Sequence, residues 1–595
     1  MEQILTIGAF LKNIEETHIN PRALNTYKYA QWHSLSVEEY LLEIKYLALG
    51  LIQLGLKKGD RVGIMAPSSS KWTMIDLAIL SVGLVTVPIF PNISEENFSF
   101  EMTQTEPKVV FLSDEESWLR YYKGKHFFKK IVSLDNAQPG SEVVFYDDLC
   151  ALGRELHEAQ PNLYQQLLND IQPADLATIV YTSGSTGSPK GVEHTHSSLF
   201  GLIHEEIFNW DSQNDRYLNA LPLAHIYART LNLIMLAWGV SVYYFNDLKN
   251  ISQACREIHP TILVVVPRLL EKVYAKMALN IHDAPCLKRS IAQFAFDLAN
   301  EEKKTIWKNI FHTFAENLVY SHLREALGGS LRVVISGGSA LDPHLCHFFI
   351  DIGVPVFQGW GLTEGCPFTV NRIGKNKVGT IGLPIGPLEI RIADNGEILV
   401  RGVNVMRGYF NNPKATQEAL DQEGWLHTGD KGSIDEEGFV TISGRIKEIF
   451  KSSTGELIVP IAIEQAFCKA PFIDMALVIA EQRKFVSCLL VPNFEVLRSL
   501  KRDNDLTHLS DEDFLQSDFI KTKMKKILNQ VNAHLNHWEQ VRDYRFIPHE
   551  LSVAQGDLTP TLKMVREVIE RKYQPLIDAM YPPDHEIGEI KAEDA

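Results

Sequence analysis

Short apolar segments alternate with longer helix-like segments through the first half of the chain. RVGIM (61–65), VTVPIF (85–90), ILVVVP (262–267) and LRVVIS (331–336) consist mainly of β-branched and other apolar residues. KWTMIDLAILSV (71–82), between the first two, is typical of a helix. Apolar strands separated by helices are typical of parallel sheets that are covered on both faces. The pattern therefore predicts an α/β fold with stacked, mostly parallel sheets.

The pattern changes in two later regions. Apolar residues recur at helical spacing from about 281 to 327, which predicts two or more amphipathic helices that cover the sheets. A membrane-touching surface or one wall of an acyl tunnel is the alternative for this region. After residue 387, short alternating segments such as EIRIADNGEILVRG (389–402) are separated by Asn-Gly and Glu-Gly turns. They predict a small antiparallel, β-barrel-like subdomain.

The last part of the chain is predicted to form a separate unit. SGRIKE (443–448) begins a segment of roughly 150 residues, which is long enough for a domain of its own. We expect a large N-terminal domain over residues 1–445 and a smaller α+β domain over residues 446–580. Residues 581–595 begin with YPP and are acidic, so we expect a frayed tail.

Composition excludes several classes of protein. The chain has 595 residues, of which 45% are hydrophobic and 22% are charged, and its net charge of −16 argues against a protein that coats nucleic acid or anionic lipid. The start lacks a basic secretory n-region, and the uncharged runs 77–91 and 230–245 are too short to span a bilayer. Seven scattered cysteines predict reduced thiols and a cytoplasmic address. Peripheral contact with the inner face of the membrane stays open.

A loop rich in glycine and hydroxyl residues, YTSGSTGSPKG (181–191), follows an apolar run. Glycines let backbone N–H groups turn toward an anion, and a lysine adds a point charge, so the loop is suited to phosphate. A flexible surface loop is the alternative. The Walker pattern fails because Lys190 is followed by glycine, and the dinucleotide pattern fails because the G-x-G start is missing.

This loop resembles the phosphate loop of the adenylate-forming superfamily, the AMP-forming acyl-CoA synthetases and their relatives. Four further segments resemble that superfamily in the same order, within residues 176–569: LPLAHIYART (221–230), FQGWGLTEG (357–365), GWLHTGDKGSIDEEGFVTISGRIKEIFKSSTGE (424–456) and LTPTLKMVREVI (558–569). The forms LTPTLK and GRIKEIFKSSTGE are most similar to long-chain fatty acyl-CoA synthetases.

The resemblance implies a two-step ligase reaction that needs no covalent nucleophile from the protein. A long-chain fatty acid attacks the α-phosphate of ATP to give acyl-adenylate and pyrophosphate, and CoA then displaces AMP. Mg²⁺ is the implied cofactor, and ATP and CoA are co-substrates. The alternative is a fatty acyl-AMP ligase or acyl-ACP synthetase with a carrier-protein acceptor, and a nucleotide-binding regulator with an idle site is a candidate from another class. No nucleic-acid partner is expected, and homodimerisation stays open.

The resemblance also implies a nucleotide site. Its ATP and AMP contacts would come from Thr182, Ser183, Gly184, Ser185, Thr186, Gly187, Lys190, Gly337, Gly338, Ser339, Gln358, Gly359, Trp360, Gly361, Thr363, Asp430 and Arg445. Trp360 would stack on adenine, and Asp430 would accept hydrogen bonds from the ribose hydroxyls. Glu364, with Ser185 or Thr186, would hold Mg²⁺, which prefers oxygen ligands.

Catalytic and acyl-binding residues follow from the same resemblance. Lys563 would bridge the incoming carboxylate and the α-phosphate, and His225 would lie beside the acyl carboxylate. Lys447 would be the hinge about which the last domain rotates between the two half-reactions. His225, Tyr227, Trp238 and Gly361 would form the acyl pocket. Because Gly361 has no side chain, we expect it to leave the pocket floor open to long chains.

Overall fold

The computed structural model describes residues 4–113, 117–118, 130–135, 143–182, 189–282, 284–300, 312, 314–446, 450–451, 456–533, 535–553, 555–559 and 563–581. Apart from Tyr581, the predicted tail lies outside these residues. The chain forms two compact units. One contains Met1–Thr428 and Gly432–Ile442, and the other contains Gly429–Lys431 and Ser443–Ala595.

The first unit contains two large sheets whose central strands are parallel. The nine-stranded sheet has antiparallel pairs at both edges, and the eight-stranded sheet has them at one edge only. In spatial order, the nine-stranded sheet contains β16 (Leu383–Pro384), β15 (Gly365–Val370), β14 (Val356–Leu362), β13 (Val333–Ser336), β12 (Ile262–Val265), β10 (Arg216–Asn219), β11 (Ser241–Tyr244), β1 (Leu24–Lys28) and β2 (Gln31–Leu35). The eight-stranded sheet contains β19 (Gly408–Tyr409), β9 (Gly191–Thr195), β8 (Leu176–Tyr181), β4 (Val85–Pro88), β3 (Arg61–Met65), β5 (Val109–Leu112), β6 (Lys130–Ser133) and β7 (Val143–Phe145). The predicted α/β class with mostly parallel sheets is confirmed.

Helices cover these sheets because successive strand residues point to opposite faces. The helices of the first unit are α1 (Ile7–Thr17), α2 (Val37–Gln53), α3 (Ser70–Ser81), α4 (Glu95–Thr105), α5 (Tyr146–Ala159), α6 (Leu163–Asn169), α7 (His196–Phe200), α8 (Ile226–Ala237), α9 (Ile251–Ile258), α10 (Pro267–His282), α11 (Cys286–Asn300), α12 (Ser321–Glu325), α13 (Pro343–Asp351) and α14 (Pro413–Ala419). A 3₁₀ turn spans Leu248–Asn250, and a π-helix spans Glu316–Tyr320.

The core of the first unit is layered. One apolar cluster joins the facing sides of both large sheets to α1, α2, α3 and α8. A second cluster packs α9, α10, α11 and α13 on the other face of the nine-stranded sheet. Phe296 of α11 and Tyr320 lie in this second cluster, so the described part of the 281–327 region is the helical cover that its periodicity predicts. None of the described helices combines the length and the apolar character needed to cross a membrane.

A four-stranded sheet follows, where the sequence predicts the small antiparallel subdomain. Its order is β17 (Glu389–Ile392), β18 (Glu397–Arg401), β20 (Leu426–Ile434) and β21 (Val440–Arg445). Asp394 to Gly396 form the turn that joins the antiparallel pair β17 and β18, and Gly396 has φ +83°. Glycine adopts this left-handed conformation without the steric cost of a Cβ.

The second unit is α+β. It contains the hairpin β22 (Phe450–Lys451) and β23 (Leu457–Ile458), and a sheet of β24 (Ile473–Ile479), β25 (Val486–Pro492) and β26 (Val541–Phe546). Its helices are α15 (Pro460–Cys468), α16 (Phe494–Asp503), α17 (Asp511–Leu515), α18 (Asp518–Asn532), α19 (Arg566–Lys572) and α20 (Gln574–Asp578). A separate core joins β24 and β25 to α19 and α20.

Candidate active site

The phosphate-loop segment leaves the eight-stranded sheet at the end of β8. Tyr181 pairs with Gly191 of β9, and the Thr182 N–H donates to the Lys190 carbonyl at 3.0 Å. These contacts close the base of the loop. Ser183, Gly184, Ser185, Thr186 and Gly187 lie outside the described residues, so their predicted contacts with phosphate and metal stay predictions.

Glu364 lies in the tight turn between β14 and β15, which are antiparallel neighbours. Its half-buried carboxylate Oε1 accepts a hydrogen bond of 2.6 Å from the Tyr409 hydroxyl. The Lys190 ammonium lies 4.9 Å from the centre of the same tyrosine ring. The structure therefore brings together two predicted site residues, a cation and a carboxylate, through a tyrosine that the sequence analysis does not identify.

The Thr363 backbone is held by a buried histidine. Nε2–H of His194 donates to the Thr363 carbonyl at 2.8 Å, and Nδ1 accepts from the Ser198 hydroxyl at 3.1 Å. Burial lowers the pKa of His194 to about 4. The imidazole is therefore neutral near pH 7. Its Nε2–H holds the turn that carries Glu364, and its Nδ1 contacts Ser198 of α7.

The SGGS turn after β13 lies against α8. The Tyr227 hydroxyl donates to the Ile335 carbonyl at 3.1 Å. A Cβ placed on Gly337 would lie 2.9 Å from Cζ of Tyr227, so only glycine permits this approach. Gly338 has φ +83°, and Ser339 is exposed. Tyr227 is thus a packing partner of the predicted adenine-binding turn as well as a predicted acyl-pocket residue.

The segment FQGWGL forms most of β14. Gly359 and Trp360 pair with Val370 and Thr369 of β15, and the Trp360 ring lies 5.1 Å from that of Phe368. Gln358 and Trp360 are buried. The predicted nucleotide residues 358–361 therefore share one rigid strand, and Trp360 is supported by a second aromatic ring.

Gly361 packs closely against β15, and its predicted role in an open pocket floor stays a prediction. A Cβ on Gly361 would lie 3.2 Å from both Cα and Sγ of Cys366, a residue buried on β15. The tight turn at 363–364 folds Cys366 back over the glycine. The absence of a side chain at position 361 is thus used for close strand packing, and Cys366 bounds the space beside it.

His225 and Trp238 lie at opposite ends of α8. His225 is the N-cap, and its Nδ1 accepts from the Tyr227 N–H at 3.2 Å. Trp238 is the C-cap residue, and its indole N–H donates to the Ile203 carbonyl at 3.0 Å. Thirteen helical residues span about 20 Å, so Trp238 does not share one pocket mouth with His225 and Tyr227.

In the second unit, Asp430 and Arg445 form an ion pair with Nε–Oδ1 at 3.1 Å. Asp430 is buried, and the Arg445 side chain is 43% exposed. Two residues that the sequence analysis assigns to the same ribose are therefore in direct contact. Lys447 lies outside the described residues.

Lys563 lies on a short loop whose ends are fixed. The Thr559 N–H donates to the Lys563 carbonyl at 2.7 Å, and the Lys563 N–H donates to Thr559 Oγ1 at 3.1 Å. Beside the loop, fully buried Asp557 pairs with Lys572 at 2.9 Å. The Lys563 side chain is exposed, so the loop presents it at the surface of this unit.

Arg566 anchors the helix that follows Lys563. Its guanidinium donates to Glu464 at 2.5 Å and to the Val478 carbonyl at 2.6 Å, and it lies 5.0 Å from the centre of the Phe450 ring. Arg566 thus joins the start of α19 to α15, β24 and β22 within the second unit.

Comparison with known proteins identifies the family to which this chain belongs. The family described as AMP-binding enzyme matches residues 12–410, and the AMP-binding enzyme C-terminal domain matches residues 448–585. The chain belongs to the AMP-binding enzyme family. It is 32% identical to a long-chain-fatty-acid–CoA ligase of Mycobacterium tuberculosis over 567 residues, which cover 92% of each chain. It is 28% identical to fatty acyl-CoA synthetase A of Dictyostelium discoideum, with 92% of this chain and 86% of that protein covered.

Solved structures share the fold of this AMP-binding enzyme. The anthranilate CoA ligase AuaEII in complex with anthranoyl-AMP matches with a TM-score of 0.72 and 17% identity, covering 97% of this chain and 99% of that one. The A domain of a carboxylic acid reductase from Segniliparus rugosus in complex with AMP matches with a TM-score of 0.73 and 19% identity. The match covers 97% of this chain and 93% of that one.

The residues at the turn of this AMP-binding enzyme fit a magnesium ion. Mg²⁺ keeps several waters and is usually held by one or two carboxylates together with substrate phosphates. Glu364 supplies one carboxylate, and no lysine or arginine among the described residues neutralises it in an ion pair. The described residues contain no group of three or more His, Cys, Asp or Glu side chains that could hold a metal ion alone. The donor set thus suits an ion that arrives with phosphates.

Tyr409, His194 and Cys366 are contacts that the sequence analysis misses. Tyr409 is 45 residues from Glu364 in the chain, and its distance from the motifs does not point to a site. The signal that the sequence does carry is the segment RGYFNN (407–412), in which Gly408 precedes an aromatic residue. Only the pairing of β19 with β9 brings Tyr409 beside the phosphate-loop segment.

Proposed function

We propose that this AMP-binding enzyme activates a long-chain fatty acid with ATP and transfers the acyl group to CoA, giving acyl-CoA, AMP and pyrophosphate. The observation that carries the proposal is the similarity to enzymes named long-chain-fatty-acid–CoA ligases, which extends over 92% of the chain in both units. The meeting of Lys190 and Glu364 beside the phosphate-loop segment supports it, because these are the charges that a metal-bound triphosphate needs.

In the first step, the fatty-acid carboxylate attacks the α-phosphorus, and the bond from that phosphorus to the oxygen bridging to pyrophosphate breaks. Lys190 attracts the phosphates, and the hydroxyl and backbone groups of Ser183–Thr186 surround them. Glu364, with Ser185 or Thr186, would hold Mg²⁺, which would supply positive charge to offset the repulsion between the phosphates and the carboxylate. Trp360 and the Gly337–Ser339 turn hold the adenine, and Asp430 with Arg445 holds the ribose.

Lys563 carries the adenylation step in this mechanism. Its ammonium offsets the repulsion between the carboxylate and the α-phosphate, two anions that must approach each other. The fixed ends of its loop support this role, since they limit the backbone freedom of an otherwise flexible side chain. We propose that His225, the N-cap of α8, contacts the acyl carboxylate.

The second step requires CoA at the same adenylate. The sulfur of CoA attacks the acyl carbon, the thiol proton is lost, and AMP leaves. We propose that residues 446–580 form a mobile domain that turns about Lys447, so that the Lys563 loop serves the first step and the β22–β23 hairpin the second. Arg566 keeps these two elements together as one body.

The acyl chain is proposed to extend along α8. Tyr227 and Gly361 lie near its N-terminal end and Trp238 lies at its other end, so an acyl chain following the helix would meet them in turn. Each buried methylene contributes about 0.8 kcal/mol, which favours long chains over short ones.

We place the enzyme in the cytoplasm. The cysteines among the described residues are free thiols: Cys150, Cys255, Cys346, Cys366, Cys468 and Cys488. This state fits a reducing compartment. Separating the cell contents into soluble and membrane fractions would test this address and any peripheral contact with the membrane.

Release of AMP tests the function. Purified enzyme is given ATP, Mg²⁺ and acids from acetate to oleate, with and without CoA. Turnover that needs CoA and rises with chain length is expected. A single burst of acyl-adenylate that CoA does not affect would replace this function with that of an acyl-AMP ligase, and a preference for acetate would contradict the substrate class.

A further inference from the structure

Tyr409 occupies the point where the two charged residues of the phosphate site meet. It is the second residue of β19, which pairs with β9, the strand that follows Lys190. Its hydroxyl donates to Glu364 at 2.6 Å, and its ring lies 4.9 Å from the Lys190 ammonium. One side chain thus contacts the carboxylate with its polar end and the ammonium with its aromatic face.

The backbone around Tyr409 is held on both sides. The Met406 N–H donates to the Glu364 carbonyl at 2.8 Å, and the Phe410 N–H donates to the Gly191 carbonyl at 2.7 Å. The Tyr409 N–H itself donates to Thr416 Oγ1 at 2.9 Å. Segment 406–410 is therefore fixed between the Glu364 turn and the end of the phosphate-loop segment, and it sets the distance between them.

The chemistry of the contact restricts both charged side chains. A tyrosine phenol is protonated at neutral pH, so the Tyr409 hydroxyl donates to the Glu364 carboxylate. A hydrogen bond from a hydroxyl to an ionised carboxylate is short and stronger than one between neutral groups. An aromatic face also attracts an ammonium, which limits the rotamers of a long lysine.

We infer that Tyr409 is a positioning residue of the phosphate and metal site. Its hydroxyl fixes the rotamer of Glu364, so that the remaining carboxylate oxygen is presented to the metal, and its ring holds Lys190 for the phosphates. This inference rests on the proposed function, in which Glu364 binds Mg²⁺ and Lys190 binds phosphate. It adds a residue that acts through Glu364 and Lys190 and decides how well both charged groups are placed.

Substitutions can separate the contribution of the Tyr409 hydroxyl from that of its ring. Tyr409→Phe removes the hydroxyl and keeps the ring, so it should affect Glu364 alone. Tyr409→Leu removes both, so it should also release Lys190. Tyr320→Phe is the matched control, because it removes a buried hydroxyl that donates to the Ala295 carbonyl in the helical cover.

The primary measurement is binding, by calorimetry with a non-hydrolysable ATP analogue at a series of Mg²⁺ concentrations. Tyr409→Phe should raise the Mg²⁺ concentration for half-saturation about 10–150-fold, the range expected for one lost hydrogen bond to a charged group. Its affinity for the analogue in EDTA should not change. Tyr409→Leu should also weaken binding in EDTA, and Tyr320→Phe should match the wild type in both. An unchanged Mg²⁺ requirement in Tyr409→Phe would overturn the inference.

Glu364→Gln separates this inference from the proposed function. If Glu364→Gln leaves the Mg²⁺ requirement unchanged, the assignment of the metal to Glu364 is wrong. If Glu364→Gln raises that requirement but Tyr409→Phe does not, only the role of Tyr409 is wrong. Should Tyr409→Phe fail to fold, 3-fluorotyrosine at position 409 is close to isosteric and strengthens the donor. A changed Mg²⁺ half-saturation then supports the role, and an unchanged one overturns it.

Discussion

Arg229 and Asp76 form a buried two-point ion pair between α8 and α3. Nε of Arg229 donates to Oδ2 at 2.8 Å, and Nη2 donates to Oδ1 at 2.6 Å. Nη1 also donates to Thr178 of β8 at 2.8 Å. Because β8 leads into the phosphate-loop segment and α8 begins at His225, this pair fixes the nucleotide and acyl parts of the site relative to each other.

Breaking this pair should destabilise the first unit strongly. Arg229→Met leaves Asp76 as an uncompensated buried charge, which costs about 3–5 kcal/mol. Thermal unfolding should show a clearly lower midpoint. Arg401→Gln is the control, because its pair with Glu389 is exposed and is therefore expected to contribute little to stability. Equal midpoints for the two variants would show that the buried pair does not hold the unit together.

Local patterns suffice to predict the elements but not the contacts between them. The apolar run RVGIM became β3, and KWTMIDLAILSV became most of α3, because period and composition act over a few neighbouring residues. Asp76 and Arg229 are 153 residues apart, and each is a single charge within an apolar stretch of its helix, TMIDLAIL (73–80) or IYARTLNLIMLA (226–237). The apolar context indicates that both charges are buried, but only the packing of the two helices shows that they pair with each other.

The same limit applies to the site. The motif resemblance identified Lys190, Glu364, Asp430 and Arg445, and the structure pairs Asp430 with Arg445 and brings Lys190 and Glu364 to Tyr409. It did not predict Cys366 beside Gly361, because a tight turn and the register of β14 on β15 create that contact. The predicted open floor stays a prediction, and it was made from Gly361 without this cross-strand neighbour.

Crowding at Gly361 should make even a methyl group costly for long substrates. Gly361→Ala places a Cβ 3.2 Å from Cys366, so β15 must shift by a few tenths of an ångström. We expect kcat/KM for oleate to fall about 10-fold or more, with a smaller change for short acids, since a loss of 1.4 kcal/mol is tenfold. Cys366→Ala in the same chain should recover part of the loss. Chain-length profiles of kcat/KM for the wild type, Gly361→Ala and the double variant measure these effects. Equal losses for all acids would contradict the prediction.

Stability should fall as the pH drops from about 6.5 to 4. Burial lowers the pKa of His196 to about 4, as it does for His194. In this window the unfolded chain binds protons that the folded chain does not, so acid favours unfolding. Each histidine should lower the free energy of unfolding by about 2 kcal/mol at pH 5 relative to pH 7.5.

His196→Phe tests this pH dependence directly. The variant keeps an aromatic ring beside Phe200 but cannot titrate. Denaturant unfolding between pH 4.5 and 7.5 should show a shallower slope than in the wild type, whatever its absolute stability. A slope identical to that of the wild type would mean that His196 is already charged in the folded protein.

Loss of the Lys563 ammonium should separate the two half-reactions. Lys563→Ala should lower the rate of acyl-adenylate formation by on the order of 10²–10³-fold or more, because one preorganised charge on the transition state is lost. ATP binding and the conversion of supplied acyl-adenylate to acyl-CoA should remain. Rapid-quench assays of each step measure this, with Lys521→Ala as the exposed-lysine control. Normal adenylation in Lys563→Ala would contradict the proposed role.

The central claim is that the fatty-acid carboxylate attacks the α-phosphate of ATP. Oleate labelled with ¹⁸O in both carboxyl oxygens should therefore transfer one labelled oxygen to AMP during turnover with CoA. Mass spectrometry of the nucleotide products measures the transfer directly. The account predicts AMP carrying one ¹⁸O and unlabelled pyrophosphate. Unlabelled AMP, or ADP with labelled inorganic phosphate, would contradict it.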